Sequence, residues 1–339
     1  MRRVLTAASL VVVLFASGCR SDISSRELAE EYFNLGNAFF ELGRYQDSFD
    51  YYSRAIELSP EIPAAGYNLA RLHEQRGEYP AALDVLDDLL DEDPENGLYR
   101  ETRAFVLFRD GQRRQAREEY TALIGEYPAR VRLRYNLGLL ELDADNADRA
   151  YQTLIDGVEL AEEDAEYQWV LSEAAYRSGR EDEAAEHLEV FRGLSAEEPE
   201  ELARLADRQA EWGFYLSALE VLEEIPDTVD GDGDLLFLRG SVELRATDDF
   251  DRAVDSIAAA VRAGYDPEQE TFADLLDTLP EDERTIIENR VRDVVEDLEA
   301  VEDAQAGEED EADEGGEEDE EDEDSSSAPS QTSDESDAE

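Results

Sequence analysis

From residue 29 to about residue 264, apolar residues return three and four positions apart, as one face of an amphipathic helix demands, and nothing reads as a strand. The first unit shows the pattern. Tyr32, Leu35, Gly36 and Phe39 fall on one helical stretch, and Ser48, Tyr52 and Ala55 on the next. Gly43 stands between the two, where a helix ends most easily on a residue with positive φ. Ser48 is small, which lets the second helix lie close against the first. Pro60 bars the second helix from continuing. The unit reads as a helical hairpin.

The hairpin recurs. Gly43, Gly77, Gly111, Gly179 and Gly213 are 34 or 68 residues apart, with Asp145 on the missing rung. Ser48, Ala82, Ala116, Ala150, Ala184 and Ala218 form a second ladder, continued by Ala253, and Pro60, Pro94 and Pro128 form a third. A fixed period of this size marks a solenoid of stacked supersecondary units. About seven hairpins are expected over 29–264, the last more divergent and preceded by an acidic loop from Pro226 to Asp234. Residues 265–300 leave the period. Asp266-Pro267 and Pro280-Glu281-Asp282-Glu283 each open a helix, and the pair reads as the end cap a solenoid needs. Residues 301–339 hold 20 acidic residues, no basic residue and no aromatic, so they are expected to be a disordered acidic tail.

The order of aromatic, Leu-Gly, aromatic, small, aromatic, Ala and Pro positions closely resembles the tetratricopeptide repeat. The resemblance is strong over the first three units and covers about 29–264. It implies an all-α, right-handed superhelical solenoid that serves as a protein-interaction scaffold, with the first helix of each unit lining a concave groove. Carried over by position, the groove residues are Phe33, Asn37 and Phe40, then Tyr67 and Arg71, then Phe105, Phe108 and Arg109. Arg132, Tyr135 and Leu139 follow, and last Trp169, Tyr176 and Arg177. Aromatics and Arg dominate this set, and those types carry most of the energy in protein interfaces. The expected occupant is an extended segment or helix of a protein partner. The competing expectation is that some of these side chains only pack between repeats. The carboxylate clamp of chaperone-binding relatives is matched at Asn37 and Asn68, but Phe33, Leu98 and Thr102 stand where its basic residues belong. A chaperone-tail receptor is not expected.

Charge sharpens the picture. There are 90 acidic residues against 30 basic ones, a net charge of -60, and every basic residue is Arg. Such a field repels nucleic acid and anionic lipid. Adaptation to high salt, where an acidic, Lys-free surface stays hydrated, would explain both features, whereas a codon bias favouring Arg would explain the missing Lys but not the surplus of acid. Without Lys there is no P-loop lysine and no Schiff base. His73 and His187 are the only histidines and fall in different repeats, as surface or packing residues. Cys19 is the only cysteine, so no intramolecular disulfide can form. No catalytic constellation, cofactor site or metal site is expected, and the chain reads as a non-enzyme. Asp230-Gly231-Asp232-Gly233-Asp234 resembles the start of a calcium loop, but Leu235 and Ser241 stand where that loop needs Gly and Glu. It reads as an acidic inter-helix loop. A second functional reading is a cation-binding or charge-buffering protein acting through its tail, which would gather divalent ions weakly.

The first residues read as a secretion signal. Arg2 and Arg3 are followed by a short apolar run to Phe15, too short to span a bilayer, and by Ala16-Ser17-Gly18-Cys19. That ending resembles the lipobox of bacterial lipoproteins. The resemblance implies a signal peptide at 1–18, a diacylated Cys19 and a short tether over 19–28. It also implies a cell-envelope location, lipid-anchored, at the outer membrane facing the periplasm, since Arg20 rather than Asp follows the cysteine.

Overall fold

In the computed structural model the described residues are 24–225 and 232–314, with side chains to residue 301. The signal segment, Cys19, residues 226–231 of the acidic loop and most of the acidic tail lie outside them. The described residues form sixteen α-helices and no strand. They fall into two compact units, Met1–Leu194 and Ser195–Glu339.

In the first unit, consecutive helices pair as hairpins. These are α1 (Ser25–Glu41) with α2 (Tyr45–Leu58), α3 (Pro63–Gln75) with α4 (Tyr79–Glu92), and α5 (Gly97–Arg109) with α6 (Arg113–Glu126). Then come α7 (Val131–Asp143) with α8 (Ala147–Ile155), and α9 (Ala165–Arg177) with α10 (Glu181–Leu194). The second unit pairs α11 (Pro199–Glu211) with α12 (Tyr215–Glu224) and α13 (Gly233–Ala246) with α14 (Phe250–Arg262). Two further helices, α15 (Glu270–Asp277) and α16 (Glu281–Glu314), follow. The stacked rings of Phe237 and Tyr265, with centroids 4.1 Å apart, share one core with Phe272, Leu275, Ile287, Val291 and Val294. The two last helices thereby close the apolar end of the α13–α14 hairpin.

The glycine and small-residue ladders have a physical cause. Every member of the small-residue ladder, from Ser48 to Ala253, is fully buried. The Ser48 hydroxyl donates to the Gly36 carbonyl at 2.8 Å, a bond that only closely packed helices permit. Each ladder glycine ends its helix with positive φ. At Gly43 the Arg44 N–H bonds back to the Phe39 carbonyl at 2.9 Å, and the same bond returns after Gly77, Gly111, Gly179 and Gly213. Asp145 holds the conformation too, at φ 56°. A side chain there costs about 1 kcal/mol against glycine. Its ion pair with Arg177 offsets little, because the Asp145 side chain is 91% exposed. Asp145→Gly is therefore expected to raise stability by about 1 kcal/mol, read as a higher thermal midpoint.

Charged pairs also join successive hairpins. The Arg117 guanidinium donates to both carboxylate oxygens of Glu141, at 2.5 and 2.9 Å, and Asn146 donates to the same carboxylate at 3.0 Å. Glu141 is buried. Arg117→Ala leaves that carboxylate without its cation and is expected to cost about 2 kcal/mol in urea unfolding, whereas Arg114→Ala, on the exposed face beside it, changes little.

The two histidines are packing residues. His73 meets Glu78 at 2.7 Å and the Phe49 ring edge-on, and His187 Nδ1 lies 2.9 Å from Gln168 Oε1. Burial pushes the His187 pKa down from its ordinary 6.5, against the pull of Glu186 and Glu183. The fold thus favours neutral His187, and its contribution to stability is present above that value and lost as pH falls below it. His187→Gln is expected to remove this part of the acid-side loss, which comparison of urea midpoints between about pH 7.5 and about pH 5 would read.

Two boundaries differ from expectation. Helix α1 starts at Ser25, not at residue 29, because Ser24 and Glu27 form a capping box with bonds of 3.2 and 2.8 Å. Helix α16 continues to Glu314, past the expected boundary at residue 300. Ala and Glu are good helix formers, and extending a nucleated helix is cheaper than starting one.

Candidate partner-binding groove

Four of the expected groove residues meet around one concavity of about 300 Å³: Tyr67 and Arg71 of α3, Phe105 of α5 and Arg132 of α7. Glu74, Glu101, Thr102 and Asn136 complete its lining. These are first helices of three successive hairpins, so the surface exists only because the repeats stack.

Local bonds set its character. The Tyr67 and Thr102 hydroxyls lie 3.2 Å apart, and Thr102 donates to the Leu98 carbonyl at 2.9 Å, which fixes the Tyr67 ring at one edge. Glu101 is 5% exposed, accepts from Arg132 Nε at 2.6 Å and lies 3.7 Å from Arg130 Nη1. Glu74 accepts from Arg109 Nη1 at 3.3 Å, and the Arg109 guanidinium also lies 5.8 Å from the Phe105 and Tyr79 ring centres. Both acids of the concavity are thus engaged by arginines one repeat on. Arg71 is exposed, and its guanidinium lies 5.5 Å from the Phe40 ring centre. No hydrogen bond or ion pair holds it among the described residues. The surface therefore presents aromatic faces, a cation without a carboxylate, and hydroxyl and amide groups.

The other expected groove residues are drawn into the fold itself. Phe33 packs on Tyr52 and Phe40 on Tyr45. Asn37 accepts from Tyr52 at 2.7 Å and from Asn68 at 3.0 Å, so the two asparagines that match a chaperone clamp bind each other. Phe108 packs half-buried against the α5–α7 core. Tyr135 faces Tyr167 with ring centres 6.3 Å apart, and Leu139 and Tyr176 are half-buried. Arg177 donates to Asp145 at 2.6 Å. Trp169 corrects the expectation outright. It is 8% exposed and packs on Phe191 of α10, the second helix of its own hairpin, with ring centres 5.0 Å apart.

Glu74, Glu101 and Asn136 were not among the expected residues. Glu101 carried a faint signal: it stands one helical turn before Phe105 and about one repeat before Arg132, where an ion pair can bridge two units. Outside the groove, a wider depression of about 590 Å³ lies over Ile124 and Leu137, edged by the Arg117–Glu141 pair, Arg134 and Arg149. Among the described residues no His, Cys, Asp and Glu cluster could hold a metal ion, and no helix is long and apolar enough to cross a membrane. Asp232, within the calcium-loop resemblance, caps α13 by accepting from the Asp234 and Leu235 N–H groups, while Asp230 and Gly231 lie outside the described residues.

Comparison with known proteins bears on the repeat fold. The family model of the tetratricopeptide repeat matches residues 33–97 and 102–157. A crystal structure of a tetratricopeptide repeat protein from Parabacteroides merdae ATCC 43184 is similar in fold, with a TM-score of 0.50 and 21% identity over 74% of this chain and 97% of that one. An uncharacterized lipoprotein of Treponema pallidum (strain Nichols) is 35% identical over 89 residues, 26% of this chain and 45% of the relative. The cellulose synthase operon protein C of Pseudomonas fluorescens (strain SBW25) is 30% identical over 167 residues, 46% of this chain and 13% of the relative. The chain thus spans less than half the length of the curated relatives it matches. Helical hairpins at a 34-residue period, their positive-φ glycines and the family match agree: over residues 33–157 this chain is built of tetratricopeptide repeats.

Proposed function

We propose that the chain is a lipid-anchored scaffold of the bacterial cell envelope that holds a segment of a protein partner in the concavity between α3, α5 and α7. Stacked tetratricopeptide repeats support a protein-interaction scaffold, and the concavity of Tyr67, Arg71, Phe105 and Arg132 carries the reading to these residues. An apolar or aromatic side chain of the partner would lie against Tyr67 and Phe105. A carboxylate beside it would meet Arg71, whose charge no acid among the described residues has taken up. The anchor is Cys19, supported by Ala16-Ser17-Gly18 before it and by the likeness to a lipoprotein, with the outer membrane facing the periplasm as its site.

The test is co-purification from detergent-solubilised envelope with wild-type chain beside Tyr67→Ala/Phe105→Ala. Trp169→Ala is unsuitable, because it would empty part of the core. A partner kept by the wild type and lost by the variant supports the groove. A partner kept equally by both contradicts it.

A further inference from the structure

Among the described residues the first helix leaves part of an apolar face exposed. Leu28 and Leu35 of α1 and Leu42 at its C-cap stand seven residues apart and are 38, 43 and 70% exposed. Tyr32 and Phe39 fall between them, so that positions 28, 32, 35, 39 and 42 make one helical stripe. The adjoining face of α1, about a quarter-turn round the helix, is the one that folds the hairpin: Ala29 is buried, and a Cβ at Gly36 would meet the Tyr52 ring at 2.5 Å. Tyr32 and Phe39 lean instead on Tyr51 of α2, with ring centres 6.0 and 5.0 Å away, and extend the same edge. End units of solenoids are ordinarily polar on the outer side, and this one is not.

What covers the stripe follows from where it stands in the chain. This inference rests on the reading of Cys19 as the lipid anchor. On that reading five residues, 20–24, separate the acylated cysteine from the start of α1. Fully extended they reach about 17 Å, less than the length of α1 itself, about 25 Å. The stripe therefore remains beside the bilayer at high effective concentration. Charge decides against a second copy of the chain. Helix α1 carries Glu27, Glu30, Glu31 and Glu41 against Arg26, and two such faces would bring like charges together on chains of net charge -60. A zwitterionic headgroup layer has no net charge to repel them, and it leaves Glu31, on the same side, in contact with water.

We propose that the Leu28–Leu35–Leu42 face of α1 lies in the headgroup layer of a zwitterionic bilayer, so that the first helix rests flat on the membrane beside its anchor. The first hairpin then has a fixed side towards the lipid.

The test uses the lipidated full chain in phosphatidylcholine vesicles. With Cys19 acylated, Leu42→Cys supplies a single thiol for an environment-sensitive fluorophore. Quenching by lipids carrying a doxyl group in the bilayer is expected to be about threefold stronger there than at Glu118→Cys, exposed on the third hairpin. It should persist in about 1 M salt, since apolar contact is not screened. It should fall to the Glu118→Cys level when Leu28→Glu and Leu35→Glu are added. Protein that floats with the vesicles but shows equal quenching at both positions would overturn this inference and leave the anchor standing. A blue-shifted label that lipid quenchers do not reach, on a chain of dimer mass, would assign the face to a second copy. Chain isolated from the envelope whose mass shows Cys19 unmodified would overturn the anchor and this inference together.

Discussion

Gly240→Val is expected to lower the stability of the second unit by about 3 kcal/mol, the largest loss from any single substitution considered. A Cβ at Gly240 would sit 2.7 Å from Ile257 Cγ1, 3.0 Å from the Ile257 nitrogen and 3.1 Å from the Ala253 oxygen. Two of those atoms are backbone of α14, so no side chain can swing aside, and the helices of the hairpin must separate. Helix propensity pulls the other way, because Val replaces a helical glycine with a gain below about 1 kcal/mol. The clash wins. Gly138→Val provides the contrast, since the three atoms nearest its Cβ would be side-chain atoms of Leu154, at 2.7 to 2.9 Å, and it is expected to cost less. Urea unfolding of the full chain, followed by the transition of each unit, reads both. An unchanged midpoint for Gly240→Val would mean that α13 and α14 do not approach so closely.

Phe105→Ala is expected to weaken partner binding about 30-fold, near 2 kcal/mol, as removal of a central aromatic anchor does. Phe105 stands between Tyr67 and Arg132 in the lining and beneath the Arg109 guanidinium, so its loss removes contact area and a surface that organises a cation. Being half-buried against the α5–α7 core, it also contributes to stability, and circular dichroism must show the variant folded at the assay temperature. Arg71→Gln should weaken binding less, and its effect should shrink as salt rises, because an exposed cation is screened. Titration calorimetry at two salt concentrations separates the two contributions.

The period was legible in the sequence because its causes are local. A glycine that ends a helix, a small residue beneath a crossing and a proline after a helix each leave a mark at one position, and Gly43, Ala82 and Pro94 show all three. Even the missing rung was visible, since Asp145 takes the glycine's conformation. The groove was legible only in part. Position within a helix says which way a side chain points, not whether another helix already occupies that space. Trp169 pointed as expected and was covered by α10. Asn37 was used by Asn68 and Tyr52. Glu101 and Glu141 were missed for the converse reason, because in a chain so rich in acid many carboxylates share such spacings, and which one is buried shows only when its arginine partner, 31 or 24 residues away, is seen. The start of α1 was hidden by a capping box within a stretch that read as polar tether.

The central claim is that the α3–α5–α7 concavity holds the partner. A photo-crosslinking amino acid placed at Arg71, compared with the same residue at Glu118 on the exposed face of α6, tests it in intact envelopes. The account predicts one discrete crosslinked product from position 71, lost on adding Tyr67→Ala/Phe105→Ala, and none from position 118. A product from position 118 alone, or one from position 71 that survives those substitutions, would contradict it.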